Sequence, residues 1–114
     1  MMDKLSIQTE TKGSVVVVTV SGRIDSETAP MLDADLTKII SGGNSNLVLD
    51  LTGVEYMSSA GIRAVVKASQ TVEKSGGAVK LASVPESVQS LLYTVGLNQK
   101  INTYSTASEA VASF

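Results

Sequence analysis

The sequence predicts an α/β fold, a mixed and mostly parallel sheet covered by about four helices. Three observations carry that expectation. Apolar stretches of strand length alternate with stretches whose apolar residues recur at helical spacing. The run Val15-Val16-Val17-Val18-Thr19-Val20 is β-branched throughout, as in a strand covered on both faces. Glycine pairs and capping patterns punctuate nearly every change of element.

Taken in order, residues 5–10 and 14–21 are expected as strands joined by a tight hairpin turn at Lys12-Gly13. After Ser21-Gly22-Arg23-Ile24-Asp25, a helix should run from about Thr28 to Ile40. Pro30 suits its first turn, and Leu32, Leu36, Ile39 and Ile40 form its apolar stripe. Ser41-Gly42-Gly43-Asn44 ends that helix, and Leu47 to Leu51 reads as a strand. The second helix is expected from Ser59 to about Ser75. It would bury Ile62, Val65, Val66 and Val72, expose Arg63, Lys67, Gln70 and Lys74, and stop at Gly76-Gly77.

Ala78 to Ala82 is a further strand. Ser83-Val84-Pro85-Glu86 has capping-box spacing and should open a third helix, with Val88, Leu91, Leu92 and Val95 buried and Gly96 closing it. Lys100 to Tyr104 reads as a short last strand. Thr106-Ala107-Ser108-Glu109 repeats the capping-box spacing before a helix striped by Ala107, Ala110, Val111 and Phe114. The order β-β-α-β-α-β-α-β-α implies parallel neighbours plus one antiparallel edge from the N-terminal hairpin. Partners and ligands meet such sheets at the carboxyl ends of parallel strands, here the loops Gly22–Ser26 and Thr52–Ser58.

Composition narrows the function. A chain of 114 residues, 43% apolar and 18% charged, has room for one domain spanning residues 1–114. It has no cysteine and no histidine, so thiol catalysis, a Ser-His-Asp triad and the common zinc sites are excluded. No metal and no cofactor is expected. A net charge of −2 and only four aromatic residues argue against direct nucleic-acid binding. The longest valine run, Val15–Val18, is too short for membrane insertion. The segment Met1–Gln8 lacks a signal-peptide pattern, so a cytoplasmic protein is expected.

The pair Ser58–Ser59 stands at the start of the second helix, with Ser59 at its expected N-cap. A hydroxyl there accepts from the amide of Gly61 or Ile62 and contributes about 1 kcal/mol. Capping accounts for one serine, not two. Ala60 and Gly61 keep the helix start uncovered, and Gly61 costs up to about 1 kcal/mol in helix propensity. Either close packing on the sheet or a functional need would account for that glycine. A phosphoryl group on Ser59 would lie where the helix dipole and free amides favour an anion, adding nearly two charges without unfolding its own element. Ser59 has no histidine to act as its base, and Lys67 lies about 12 Å along the helix, too far for a Ser-Lys dyad. The chain is therefore expected not to be an enzyme. Ser41-Gly42-Gly43 and Ser75-Gly76-Gly77 read as helix stops, not phosphate cradles.

The run from Leu49 to Ile62, Leu-Asp-Leu-Thr-Gly-Val-Glu-Tyr-Met-Ser-Ser-Ala-Gly-Ile, closely resembles the signature of STAS domains, the sulfate-transporter and anti-sigma-factor-antagonist family. Gly22-Arg23-Ile24-Asp25 is similar to that family's Gly-x-Ile/Leu-Asp element. The likeness covers essentially the whole chain and is strongest to free-standing bacterial anti-sigma factor antagonists. It implies binding to an anti-sigma factor serine kinase of the histidine-kinase-like ATPase fold, which frees a sigma factor. It also implies that this kinase modifies the antagonist's serine and that a metal-dependent serine phosphatase restores it.

By this resemblance Ser59 is the phosphorylated residue, and Asp25, Ser58, Ser59, Gly61 and Ile62 belong to the partner-binding surface. Where the best-known antagonists carry aspartate, this chain has Ser58, which makes Ser58 a second candidate acceptor. Asp25 has an equal structural explanation, capping the helix that follows. Two other classes share the fold. One is an accessory subunit of a lipid-transport ABC complex, and the other is a nucleotide- or small-ligand-sensing module.

Overall fold

In the computed structural model, which describes residues 4–114, the order of elements is the expected one. Met1–Asp3, the start of the expected 1–114 unit, lie outside the described residues. β1 (Leu5–Lys12) and β2 (Val15–Ile24) lead to α1 (Ala29–Ser41), β3 (Asn46–Met57) and α2 (Ser59–Glu73). β4 (Ala78–Ala82), α3 (Glu86–Thr94), a 3₁₀ turn (Leu97–Gln99), β5 (Thr103–Tyr104) and α4 (Ala107–Ala112) follow. The sheet order is β1-β2-β3-β4-β5, with β1 antiparallel to β2 and every other neighbour parallel.

Parallel strands laid down in sequence order, joined by right-handed crossovers, put their connecting helices on one face. Accordingly α1, α2 and α3 share one face with Val16, Val18, Val20, Leu47, Leu49, Leu51, Val79 and Leu81. On the other face α4 covers a smaller cluster through Ala110, against Val15, Val17, Val48 and Ala82. This is why the valine run alternates between two cores and every residue of Val15–Val18 is buried. Each such side chain contributes roughly 1.5–3 kcal/mol by its burial.

The carboxyl end of the sheet departs from the sequence expectation. β3 does not stop at Leu51, and Thr52–Met57, expected as part of a loop, is strand. β4 pairs with β3 only as far as Asp50, opposite Ala82. Beyond that point β3 stays on β2 through register shifts, with Gly53 opposite Ser21 and Met57 opposite Ile24. A Cβ on Gly53 would lie 2.5 Å from Ser21 Oγ and 3.0 Å from Ser21 Cβ, so a larger residue would push Ser21 aside where glycine lets the strands lie close. Likewise Gly22–Ile24 belongs to β2, and the true loop is Asp25–Thr28. Two strands thus overhang the sheet, with the start of β1 beside them through the Arg23 N–H to Lys4 carbonyl bond of 2.8 Å.

Smaller differences have local causes. The hairpin turn is Gly13-Ser14, one residue later than expected, with Gly13 at φ +64°. Ser83 does not cap α3, whose N-cap is Pro85. Instead Ser83 donates through its N–H to the Tyr104 carbonyl and through its hydroxyl to the Ser105 carbonyl, tying β4 to β5. Val88 and Leu92 anchor α3, but Val95 is 46% exposed because the helix ends at Thr94 and the chain turns away through Gly96. Leu91 is only half-buried. The last strand shrinks to two residues, preceded by the 3₁₀ turn and a core residue, Ile101. At the second capping-box sequence Thr106 caps α4 as expected, its Oγ1 accepting from the Glu109 amide at 3.1 Å.

Gly22 holds the overhang to β1. Its φ is +103°, and a Cβ there would lie 2.1 Å from the Lys4 carbonyl oxygen. Gly22→Ala is therefore expected to destabilise the protein by about 2 kcal/mol or more, since strained backbone and a backbone clash add. Urea unfolding should show a lower midpoint at unchanged slope.

Candidate functional site

The overhanging pair delivers the serines. Ile24 and Met57, both buried, are register partners at its tip. One step on, the Ser58 N–H donates to the Ile24 carbonyl at 2.7 Å. That bond keeps Ser58 extended, at φ −89° and ψ 173°, so it flanks the helix and Ser59 is the first residue able to turn. The N-cap is Ser58, and the expectation of Ser59 in that role is corrected by one position. The Ser58 carbonyl accepts from the Ile62 amide at 3.2 Å, but no side chain caps the helix. Ser58 Oγ is buried without a hydrogen-bond partner among the described residues, whereas Ser59 is exposed.

Gly61 and Ile62 lie beneath this surface. A Cβ on Gly61 would come within 2.5 Å of Ile24 Cγ2 and 2.9 Å of Met57 Cγ. Close approach of α2 to the strand tips therefore accounts for this glycine. Ile62 is buried in the same core, with Val65 and Val72 further along the helix, while Val66 is half-buried. Arg63, Lys67, Gln70 and Lys74 are exposed, as their spacing predicts. Ser59 is positioned by this buried row.

That loop is built around Asp25. Its Oδ1 accepts from the amides of Glu27 at 2.9 Å and Thr28 at 3.0 Å. Thr28 is itself buried, its hydroxyl donating to the Arg23 carbonyl at 2.7 Å and accepting from the Asp25 amide at 2.9 Å. The Asp25 carbonyl in turn takes the Ala29 amide, so this residue organises the turn that starts α1. The Thr28 amide, then that of Glu27, holds the Asp25 carboxyl below its ordinary value of 3.8, and the Lys4 ammonium at 3.9 Å adds to this. Lys4 is raised in turn, first by its hydrogen bond and charge pairing with Glu27.

Two features here were not legible in the sequence. The Arg23 guanidinium lies over the Tyr56 ring, 4.7 Å from its centroid, with Tyr56 itself 43% exposed. These residues meet only because the register shifts bring them opposite one another. Next to Ser59, a shallow cavity of about 370 Å³ separates the starts of α1 and α2. Ala29, Pro30, Ala60 and Ala64 line it, with Arg63 and Lys67 on its rim. Lys67 bridges the two helices to Asp33 at 3.2 Å. Among the described residues there is no cluster of three acidic, histidine or cysteine side chains fit for a metal. No described helix is long and apolar enough to cross a membrane.

A five-stranded mixed sheet with three helices on one face and one on the other, displaying a serine where β3 hands over to α2, defines the class of domain. The family model described as the STAS domain matches residues 6–110, and the chain belongs to that family. It is similar to the anti-sigma-F factor antagonist RsfB of Mycobacterium tuberculosis, 26% identical over 111 residues that cover 96% of this chain and 88% of that one. Its structure resembles the crystal structure of an anti-sigma factor antagonist from Mycobacterium paratuberculosis, with a TM-score of 0.88 and 26% identity over 96% of this chain and 92% of that one. The phosphorylated form of the Bacillus cell fate determinant SpoIIAA shares the fold, with a TM-score of 0.75 and 19% identity over 94% and 97% of the two chains.

The two serine-loop roles separate in stability measurements. Gly61→Ala gains up to about 1 kcal/mol of helix propensity but forces side chains apart, and a net loss of about 1–2 kcal/mol is expected. A net gain would mean that packing does not require the glycine. Ser58→Ala removes a buried, unpartnered hydroxyl and should leave stability unchanged or slightly raised, where loss of a true cap would cost about 1 kcal/mol.

The Asp25 loop sets an acid dependence. Because its folded pKa lies below the unfolded one, its stabilisation is present above the ordinary value of 3.8 and is lost as pH falls through the depressed value. Asp25→Ala should lower the thermal midpoint at neutral pH and flatten its decline below pH 3.8. Calorimetry across that range reads both effects.

Proposed function

We propose that this protein is an anti-sigma factor antagonist, residues 1–114 acting as one non-catalytic, cytoplasmic unit that contacts no nucleic acid. It binds an anti-sigma factor that is a serine kinase of the histidine-kinase-like ATPase fold, and so releases a sigma factor. The observation that carries this reading is the exposed Ser59 hydroxyl on the first residue of α2, beside a neighbour whose own hydroxyl is buried. Likeness to proteins named anti-sigma factor antagonists supports it.

In the switching step, Ser59 Oγ attacks the γ-phosphorus of ATP held by the kinase. The new O–P bond forms as the bond to the β–γ bridging oxygen breaks, ADP leaves, and the hydroxyl proton passes to a base of the kinase. A metal-dependent serine phosphatase reverses the state by hydrolysis, releasing inorganic phosphate. The phosphoserine brings nearly two negative charges to a surface otherwise shaped by small residues. The α2 dipole favours that charge, so the fold persists while the binding surface changes. Asp25 shapes the adjoining loop of the same surface, and Gly61 and Ile62 support it from below. Ser58 would have to leave its buried position to serve as acceptor, which favours Ser59.

Incubated with its cognate kinase and ATP, the wild-type protein should gain one phosphoryl group by mass spectrometry, as should Ser58→Ala. Ser59→Ala should gain none. Modification of Ser59→Ala but not Ser58→Ala moves the acceptor by one residue, and modification of both defeats the switch. Ser59→Asp should weaken kinase binding roughly tenfold, about 1.4 kcal/mol, with an unchanged circular-dichroism spectrum.

A further inference from the structure

The cations at this end of the molecule are nearly all engaged. Lys4 pairs with Glu27 and Asp25, Lys67 with Asp33, and Arg23 lies over Tyr56. Arg63 differs: among the described residues it makes no ion pair, side-chain hydrogen bond or aromatic contact, and it is exposed on the rim of the α1–α2 cavity. It lies four residues after Ser59 on the same helix, so the two side chains are neighbours on one face. Ile62 and Val65, on the buried side, hold that face outward.

We infer that Arg63 is the internal counter-ion of phosphorylated Ser59, closing on the phosphate as an i,i+4 pair. This rests on the reading of Ser59 as the modified residue and names what holds its modified state. The guanidinium offers a planar fork of donors to the phosphate oxygens, which suits arginine better than lysine. The acidic residue stands N-terminal to the basic one, the favourable order on a helix. Both partners belong to α2, so the contact forms without movement of β2, β3 or α1. It also withdraws Arg63 from the edge of the cavity.

Phosphoserine installed at position 59 during translation, in the full chain, tests the pair without any kinase. The second phosphate pKa is followed by ³¹P NMR in the wild type and in Arg63→Gln, Arg63→Lys and Lys67→Gln backgrounds. Asp25, Glu27, Glu55, Lys4 and Arg23 are unchanged in every variant, and the helix dipole is common to all, so differences isolate the substituted cation. Arg63→Gln should raise the pKa by about 0.3 pH units, a difference that shrinks in 1 M salt. Arg63→Lys should fall between the two, and Lys67→Gln should match the wild type. Equal values for the wild type and Arg63→Gln would overturn the pair, as would an equal rise in Lys67→Gln. Either outcome leaves the kinase assay on Ser59 standing, and a negative kinase assay leaves this titration intact.

Discussion

The hydrogen bond from the Ser58 N–H to the Ile24 carbonyl is the constraint on which the site depends. It is the last link of the parallel pairing between β2 and β3, carried past the end of β4 by register shifts and by a glycine opposite Ser21. Because it holds Ser58 extended, the helix begins one residue later and the exposed hydroxyl belongs to Ser59. A helix one residue out of phase would rotate each side chain by about 100°, turning Ser59 off its outward face.

Packing reinforces the same geometry from below. Gly61 lets α2 approach the tips of Ile24 and Met57, and Ile62, Val65 and Val72 continue the contact along the helix. The helix start is thus held rigidly by apolar contacts while its polar groups stay unencumbered. No side chain caps it, and a buried hydroxyl is left without a partner. Local polar satisfaction has been given up at this helix start, where the strand bond and the close packing take precedence.

The loop beside it works by the opposite device. The Asp25 and Thr28 side chains satisfy one another and four backbone groups, with Lys4 and Glu27 clamped outside them. A densely hydrogen-bonded loop thus stands next to an uncapped helix start. A shallow cavity lined by alanine and proline separates the two. The fold as a whole is similar to that of a solved anti-sigma factor antagonist.

The sequence by itself determined the fold class, the order of elements, the two-faced burial of the valine run and the polar face of α2. Each follows from periodicity, composition and turn residues within about ten positions, which is the range over which a chain's own pattern can speak. It also marked the serine pair and Asp25 through a motif carried in contiguous residues. What it could not determine was the length of β3, the partnership of Arg23 with Tyr56, or the exposure of Val95. Those depend on strand register and on where a helix loses its neighbours, and both are decided by residues distant in sequence. The same is true of the serines. Ser58 and Ser59 are chemically identical in the sequence, and only the bond to Ile24 on another strand turns one hydroxyl into the core and the other out to solvent.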